Sequence, residues 1–499
     1  MSGEAVREQR IQWPVAGVSR VPFEIYTDPA LYESEQESLF KGPIWNFVAV
    51  DIEIPAVGDF KTNFVGDTPV VVVKSSADSY SAFVNRCAHR GSTLCYEKTG
   101  NRDAFTCVYH NWSYDLEGNL KTVAFHKGVR GKGGMPDDFQ TCDHNLQKLR
   151  VQVFCGLLFI SFDHAAPDLE KFLGPKMSAH IRRIFSKKIR ILGAFSQYMH
   201  NNWKLYMENV KDSYHASLLH TVFTTFKVNR LSMQGGLILE GDGGHHISYS
   251  KMATDSGGGA DYESGGLRAQ NDEFVLHDNR ILKSWPEFED GITHAIQGIF
   301  PNLIVQQIQN SLALRLLIPR GVNGCELVWI AHQDNYRRNA TVLGSAELFH
   351  RVRPLYDAYA DCIDEEQFEK WPEFFEDICF YQITTREAVR KSFPIGIVQC
   401  NSKGMLIDRI NSMKRANIFE PQRYRHLLGA LHVEASENGT IRARMGFAIV
   451  RILESGETML FLSGVWKDKI VETPEGLRFR EKIAVLDSSC VDTLIVVPV

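Results

Sequence analysis

The strongest constraint on the fold of this chain comes from two short segments, each of which contains one cysteine and one histidine. Cys87 and His89 are separated by one residue, Cys107 and His110 by two, and 17 residues lie between His89 and Cys107. Two thiolates and two imidazoles can hold a tetrahedral zinc ion. They can equally hold a [2Fe–2S] cluster with both cysteines on one iron and both histidines on the other. The spacing therefore predicts a metal centre between two loops, and these residues alone leave its kind open.

A second candidate metal centre follows in residues 202–220. Apolar residues mixed with Glu and Lys favour a helix over residues 202–215. Asp212 and His215 are three residues apart and would share one face of that helix,. His220 lies five residues beyond His215, so the two imidazoles converge only if the helix ends or bulges between them,. Two histidines and a carboxylate can hold an Fe(II) that activates O₂. The alternative is that these side chains merely cap a helix end.

Both motifs resemble those of Rieske non-haem iron dioxygenases, which hydroxylate aromatic rings. The paired Cys–His segments are similar to the Rieske motif, and residues 208–220 are similar to the mononuclear-iron motif of the large, or alpha, subunits. The resemblance implies cluster ligands Cys87, His89, Cys107 and His110, and iron ligands His215 and His220. It also implies that Asp212 connects the two centres. Its carboxylate would bond a ligand imidazole, most simply His215, and reach a cluster histidine of a neighbouring subunit.

The resemblance covers most of the chain and implies an α+β protein that joins two subunit types. Residues 11–331 resemble the alpha subunit of the terephthalate and substituted-benzoate type, and residues 346–499 resemble the small, or beta, subunit. The expected parts are an all-β Rieske domain, a helix-grip catalytic domain with helices on an antiparallel sheet, and an NTF2-like cone. We divide the chain into an N-terminal helical segment (1–44), the Rieske domain (45–165), the catalytic domain (166–334), a junction (335–345) and the small-subunit-like domain (346–499).

The catalytic part is predicted to be truncated. In these enzymes the third iron ligand is an Asp or Glu on a late helix, and the alpha-subunit resemblance stops near Ala331, before such a segment. The third ligand is therefore unknown. Water, Asp334 or another chain are candidates to complete the site, and weak or absent iron binding is the alternative. Downstream acids such as Asp364 and Glu376 match the surface of the beta subunit, so no ligand role is assigned to them.

Arg315 is the predicted substrate-binding residue. It interrupts the otherwise apolar run from Leu312 to Leu317. A guanidinium in such a strand needs a partner, and the carboxylate of an aromatic substrate could bind it through two hydrogen bonds. A protein acid, or water at the sheet edge, is the alternative partner. The resemblance to terephthalate-type enzymes favours the substrate.

Composition excludes several other classes of function. A net charge of −5 at pH 7 argues against a nucleic-acid surface,. No apolar run approaches the roughly 18 residues of a membrane helix. Ten cysteines spread over 499 residues do not make a disulfide framework,. We expect a cytoplasmic protein without a membrane anchor.

The expected activity is that of an aromatic-ring-hydroxylating terminal oxygenase. A separate NADH-dependent flavin or iron–sulfur reductase would supply electrons, and O₂ would be used in the cis-dihydroxylation of a terephthalate- or benzoate-like ring. The family implies a homotrimer or an α₃β₃-like assembly with [2Fe–2S] and Fe²⁺ as cofactors. The alternative is a catalytically impaired chain that keeps the cluster and the assembly surface and acts only in electron transfer.

Overall fold

The structure is a computed structural model. It describes residues 11, 13, 20–220, 233–241, 243–251, 276–277, 285–333, 348–415, 420–435, 440–492 and 495–499. The predicted junction 335–345 and the candidate ligand Asp334 lie outside these described residues. Helices and mainly antiparallel sheets form an α+β protein. Within the described part of the chain, no helix is both long and apolar enough to cross a bilayer.

The N-terminal segment is helical where it is described. It contains α1 (Glu24–Thr27), α2 (Pro29–Glu35) and a π-helical turn (Gln36–Phe40). Asp28 begins α2, because its Oδ1 accepts a hydrogen bond from the Ala30 amide at 2.8 Å,. Pro29 suits the first position of α2, because the backbone N–H that proline lacks would have had no partner within the helix,.

An all-β part follows. Its strands are β1 (Asn46–Val50), β2 (Asp59–Val65), β3 (Thr68–Lys74), β4 (Tyr80–Val84), β5 (Thr99–Asn101), β6 (Phe105–Thr106), β7 (Ser113–Tyr114), β8 (Leu120–Thr122), β9 (Lys148–Phe154) and β10 (Leu157–Ser161). Their spatial orders are β1-β10-β9-β4-β3-β2-β5 and β6-β7-β8.

Strand β3 shows why this part holds two separate cores. Val70 and Val72 pack into a core shared with the next domain, whereas Val71 and Val73 pack into a core beneath the Cys–His loops. Successive side chains of a strand point to opposite faces. A strand that is buried on both faces therefore needs the continuous valine run seen here.

The middle part is an antiparallel sheet with helices. It comprises α3 (Leu169–Ile184), β11 (Arg190–Met199), α4 (Trp203–Lys211), α5 (Ser213–Leu219), β12 (Gly235–Glu240), β13 (His245–Lys251), β14 (Ile292–Ile299), β15 (Leu303–Ile308), β16 (Ser311–Pro319) and β17 (Cys325–Gln333). Alternate residues of β16 separate its faces: Leu316 and Ile318 face the core with α3, and Leu317 faces the core with α4. Arg315 is on the α4 face with Leu317.

The C-terminal part is a separate sheet with helices packed against it. It comprises α6 (Leu348–Asp364), a 3₁₀ helix (Phe368–Phe374), β18 (Phe375–Thr385), α7 (Arg386–Arg390), β19 (Val398–Cys400), α8 (Lys403–Arg415), β20 (Gln422–Ala435), β21 (Ile441–Leu453), β22 (Thr458–Thr473), β23 (Gly476–Leu486) and β24 (Cys490–Asp492). The six-stranded sheet has the order β19-β18-β23-β22-β21-β20.

Strand β24 joins the C-terminal part to the middle sheet. It pairs in parallel with the edge strand β11, where Ser196 is opposite Cys490. A second backbone hydrogen bond runs from the Ile395 amide to the Leu192 carbonyl at 3.1 Å. Gly193 permits this approach, because a Cβ there would lie 2.7 Å from the Ile395 oxygen. The middle sheet thus has the order β12-β13-β14-β15-β16-β17-β11-β24, with its last strand supplied by the chain's C-terminal segment.

Candidate redox and iron centres

The two Cys–His loops have the same backbone hydrogen-bond pattern. In each loop the cysteine amide donates to the carbonyl five residues later (Ser92 and Trp112), and the cysteine carbonyl accepts from the amide four residues later (Gly91 and Asn111). Gly91 has φ +70° and Asn111 has φ +54°. Glycine and asparagine tolerate this left-handed conformation better than most residues. The sequence therefore builds two matching turns that present their side chains toward each other.

The four predicted cluster donors come together as two pairs. The buried thiols of Cys87 and Cys107 contact each other. The imidazole rings of His89 and His110 have centroids 4.5 Å apart. His89 also stacks on Trp112, with centroids 4.6 Å apart.

The environment of the thiols favours electron-rich sulfur at Cys107. Burial raises the pKa of Cys87, and the Tyr114 hydroxyl, 3.2 Å from its Sγ, partly opposes that effect. Burial also acts to raise the pKa of Cys107, but the amides of Tyr109 and His110, together with the side chains of Cys87 and Ser92, outweigh it and lower that pKa below its usual value. Backbone N–H groups that stabilise a thiolate also stabilise a thiolate bound to a metal.

The donor pairs fit a two-iron cluster better than a single zinc ion. Zinc needs four ligands that converge on one point. Among the described residues, no group of three or more His, Cys, Asp or Glu side chains is placed to hold one metal ion. A [2Fe–2S] centre needs only two protein ligands per iron, thiolates on one and imidazoles on the other. The buried Nδ1 of His89 has no hydrogen-bond partner, as expected for an atom reserved for a metal,.

Changing Tyr114 to Phe is expected to lower the reduction potential of the cluster. The Tyr114 hydroxyl can donate to the Cys87 sulfur, and hydrogen bonds to ligand sulfurs are among the factors that set such potentials,. One hydrogen bond contributes about 1 kcal/mol, which is roughly 40 mV for a one-electron couple. Redox titration of the cluster measures the shift. Tyr109→Phe removes a hydroxyl from an exposed ring beside His110 and should leave the potential unchanged; equal shifts in both variants would contradict the prediction.

The segment that carries the second candidate centre is two helices, whereas a single helix was predicted. Asp212 has φ −77° and ψ 108°, so it ends α4 and begins α5. Its carboxylate accepts hydrogen bonds from the amides of Tyr214 at 2.7 Å and His215 at 3.3 Å. Asp212 and His215 therefore do not share a face of one helix. The short Asx-type cap outweighs helix propensity here, because it satisfies amides that a helix start leaves unpaired.

The predicted iron ligands converge at the end of α5. The helix ends at Leu219, and the rings of His215 and His220 have centroids 5.4 Å apart. The buried Nδ1 of His215 makes no hydrogen bond and lies 3.5 Å from Asp212 Oδ2. Loss of hydration, followed by repulsion from His215 and Arg315, lowers the pKa of His220, although the residue stays partly exposed. An imidazole that resists protonation, beside a second imidazole, suits a cation.

Arg315 lies beside this pair. Its Nη1 donates to the Tyr206 hydroxyl at 2.7 Å, and its guanidinium stacks over Trp329 at 4.1 Å from the ring centroid. The buried Nε of Arg315 has no hydrogen-bond partner. The contacts of Arg315 within the described ranges are with Tyr206 and Trp329, and a protein acid or water stays the alternative partner. Arg315 thus presents a guanidinium next to the two candidate iron ligands.

Residues of the N-terminal segment, outside both metal-binding motifs, fix the position of α4. The buried Glu35 carboxylate of α2 accepts hydrogen bonds from Trp203 Nε1 at 3.1 Å and Lys204 Nζ at 2.9 Å. The Tyr26 hydroxyl donates to Glu208 at 2.5 Å. These partners are more than 160 residues apart in sequence, and no local pattern marks such contacts.

Family models match three successive parts of the chain. Residues 44–131 match the Rieske [2Fe–2S] domain, residues 186–354 the ring-hydroxylating alpha-subunit catalytic domain, and residues 358–493 the ring-hydroxylating beta subunit. The chain is 49% identical over 325 residues to the terephthalate 1,2-dioxygenase terminal oxygenase subunit alpha 2 of a Comamonas species, covering 65% of this chain and 78% of that protein. The chain belongs to the Rieske ring-hydroxylating dioxygenases.

Other relatives of this dioxygenase support the same family assignment. The anthranilate 1,2-dioxygenase large subunit of Burkholderia cepacia is 45% identical over 64% of this chain and 75% of its own length. A naphthalene 1,2-dioxygenase structure with indole in its active site is 25% identical with a TM-score of 0.50, over 62% of this chain and 70% of that one. The predicted family and fold class, the alpha–beta fusion, and the [2Fe–2S] and Fe²⁺ cofactors are thereby confirmed. The chain is the terminal oxygenase component of an aromatic-ring dioxygenase.

Proposed function

We propose that this dioxygenase cis-dihydroxylates an aromatic carboxylate, a ring of the terephthalate or benzoate kind, with O₂ and electrons from NADH. A separate flavin or iron–sulfur reductase would supply the electrons. The position of Arg315 carries the proposal, because it offers a cation beside the two candidate iron ligands. The names of the terephthalate and anthranilate enzymes, whose substrates are carboxylated rings, support the same substrate class.

The proposed roles follow the geometry. The cluster ligands are Cys87, His89, Cys107 and His110, and the mononuclear iron ligands are His215 and His220. When bound, the cluster stores electrons and the iron provides open positions for O₂ beside the substrate. Trp329 keeps Arg315 in place by stacking, and Tyr206 fixes one end of the guanidinium. The remaining donors of Arg315 can then hold a ring carboxylate through two parallel hydrogen bonds.

Asp212 is proposed to connect the centres while it caps α5. One oxygen accepts from the Tyr214 amide, and the other lies 3.5 Å from the His215 ring. The side chain is 48% exposed, so it remains accessible to a cluster histidine of a neighbouring chain. Closure into a ring of three chains would bring such neighbours together. We therefore propose a homotrimer in which each chain supplies both subunit types.

Metal content and oxygen uptake test the function. The proposal predicts three iron atoms and two sulfides per anaerobically reconstituted chain, and O₂ uptake with NADH and reductase when benzoate or terephthalate is added. Two iron atoms without uptake would support the alternative of an impaired electron carrier. That alternative rests on one observation: within the described ranges, no third acidic or histidine ligand joins the two imidazoles. Zinc without iron would refute both.

Changing Arg315 to Met should raise the KM for carboxylated substrates. A hydrogen bond to a charged group contributes about 1.5–3 kcal/mol, which corresponds to roughly a 10- to 150-fold rise in KM. Oxygen uptake with benzoate and with uncharged benzamide separates the carboxylate contribution from the ring. Tyr206→Phe keeps the guanidinium but removes the hydroxyl that fixes one end of it, so it should raise the benzoate KM less than Arg315→Met does. If R315M left the benzoate KM unchanged, or raised both substrates' KM equally, Arg315 would be a packing residue only.

A further inference from the structure

A buried glutamine lies on the same face of the middle sheet as Arg315. In β15, Ile304 packs into the core that contains α4, and Val305 packs into the core that contains α3. Side chains alternate along a strand, so Gln306 points to the α4 face. Ile304 is directly opposite Arg315, which makes Gln306 a diagonal neighbour of Arg315. Diagonal neighbours are about 7–8 Å apart, and one substituted benzene ring can span that distance.

Small side chains lie beside Arg315 and Gln306 on this face. Ala313, two residues before Arg315 in β16, shares its face and is directly opposite Gln306,. Ala331 of β17 is directly opposite Ala313 and points the same way,. An alanine side chain ends at its Cβ, so these two residues form a low, apolar floor. Such a floor suits the flat face of an aromatic ring.

A histidine extends the polar side of this floor. In β14, Ile296 packs into the core that contains α4, so His294, two residues earlier, points to the α4 face as well,. His294 is directly opposite Ile308, which makes it a diagonal neighbour of Gln306. Its Nδ1 lies 3.1 Å from the Thr293 hydroxyl.

Both side chains keep a buried polar atom without a partner. Gln306 and His294 are each 6% exposed. Among the residues that the structure describes, none bonds the Oε1 of Gln306 or the Nε2 of His294. Each such atom costs about 1–3 kcal/mol when it is left unpaired. Two of them on neighbouring strands, next to the proposed substrate cation, point to a ligand that supplies the missing bonds.

The hydrogen-bonding capacity of these atoms selects the ligand's substituent. The amide oxygen of Gln306 needs an N–H or O–H donor, whereas an ionised carboxylate only accepts. Burial lowers the pKa of His294 to about 4, so its imidazole is neutral near pH 7 and offers no positive charge to a second carboxylate. A neutral imidazole can donate or accept at Nε2, depending on its tautomer. A hydroxyl or an amino group meets both requirements.

We infer that Gln306 and His294 recognise a hydroxyl or amino substituent on the ring whose carboxylate binds Arg315. The preferred substrate is then a hydroxybenzoate or aminobenzoate, and not a dicarboxylate such as terephthalate. The inference rests on the proposed function, because Arg315 fixes the carboxylate end of the ring. A site built to bond such a substituent discriminates against a ring that lacks it, since the polar atoms of the site then stay unpaired.

Anaerobic equilibrium dialysis tests the inference, because it measures binding without turnover. The chain is reconstituted with iron and sulfide, and reductase is left out. The probes are benzoate, terephthalate and all ring isomers of hydroxybenzoate and aminobenzoate. At least one hydroxybenzoate or aminobenzoate should bind about tenfold more tightly than benzoate and terephthalate, which corresponds to about 1.4 kcal/mol and lies within the range of one net hydrogen bond.

Two substitutions remove the proposed contacts separately. Gln306→Leu and His294→Leu should each reduce the preference for that probe and leave the Kd of benzoate unchanged. Arg315→Met should weaken the binding of every carboxylate by a similar factor. The matched control is Gln307→Leu, because the amide of Gln307 bonds Arg183 on the opposite face of the same strand. Its loss should lower the stability of the chain without changing the preference.

The failure of this inference differs from the failure of the proposed function. If terephthalate bound most tightly, or if the preference survived both Gln306→Leu and His294→Leu, the inference would be overturned. The proposed function would stand in that case as long as Arg315→Met weakened the carboxylates. If Arg315→Met left every Kd unchanged, the proposed function would fail and the inference with it. If Gln307→Leu removed the preference as fully as Gln306→Leu, the effect would be general damage to the sheet, and the inference would also be overturned.

Discussion

Replacing His215 with alanine is expected to abolish ring hydroxylation and to leave the visible spectrum of the cluster intact. His215 supplies one of two imidazoles of the proposed iron site, and its buried Nδ1 has no other partner. The cluster loops lie more than 100 residues earlier and form a core of their own. Loss of residues that merely orient metal ligands costs about 10- to 100-fold, so loss of a ligand should cost at least that much.

The measurements are iron content, the cluster spectrum and oxygen uptake. Iron should fall from three atoms per chain to two. The matched control is His432→Ala, which removes an exposed imidazole from β20. If His215→Ala lost the spectrum together with activity, the two centres would not be separable. If activity persisted, His215 would not be an iron ligand.

Removing the carboxylate of Asp468 is expected to destabilise the C-terminal domain by about 3–5 kcal/mol, the usual cost of leaving one partner of a buried ion pair alone. Asp468 Oδ2 lies 3.2 Å from Lys482 Nζ, and both side chains are 0% exposed. The Tyr356 hydroxyl also bonds this carboxylate. The ammonium lies 3.8 Å from the Trp466 ring centroid and within reach of three more aromatic rings. Those rings stabilise the cation only in part.

The loss of stability caused by Asp468→Leu can be compared with that of a substitution in a more exposed ion pair on the same two strands. Lys469 and Glu481 are the next cross-strand pair, 2.7 Å apart and partly exposed. Glu481→Gln should therefore cost only about 0–1 kcal/mol. Combining Asp468→Leu with Lys482→Met should cost much less than Asp468→Leu alone, because no buried charge remains. Urea denaturation, followed by tryptophan fluorescence, measures the free energy of unfolding of these three variants and of the wild type. Equal costs for D468L and E481Q would refute the buried-pair account.

The buried pair of Asp468 and Lys482 also predicts that the stability of the folded chain depends on pH. Burial lowers the pKa of Lys482 from 10.5 to about 8, and Asp468 opposes this shift. Between these pH values the unfolded chain binds a proton at Lys482 that the folded chain does not. The contribution of Lys482 to stability therefore rises as pH increases from about 8 toward 10.5,. The stability difference between the wild type and K482M should change over this window in that direction. A difference independent of pH would contradict the assignment.

Motifs that are local in sequence were sufficient to identify the family and its cofactors. Four soft or borderline donors in two turns of matching shape predict a metal centre, because each turn needs only contacts within six residues, and the family resemblance identifies that centre as a [2Fe–2S] cluster. The valine run of β3 likewise reveals a strand buried on both faces. The comparisons confirm the family, the fold class and both cofactors, while the individual ligand assignments and domain boundaries stay predictions.

Other features were decided only by tertiary structure. The cap at Asp212 divides the predicted helix, because its carboxylate binds two amides that helix propensity does not weigh. The hydrogen bond of Arg315 to Tyr206, the anchoring of α4 by Glu35 and the pairing of β24 with β11 all join residues more than 100 positions apart. Periodicity reports which face of a strand or helix is apolar, but not which distant surface it meets. The sequence by itself therefore determined the chemistry of the centres, and the packing of distant segments decided what surrounds them.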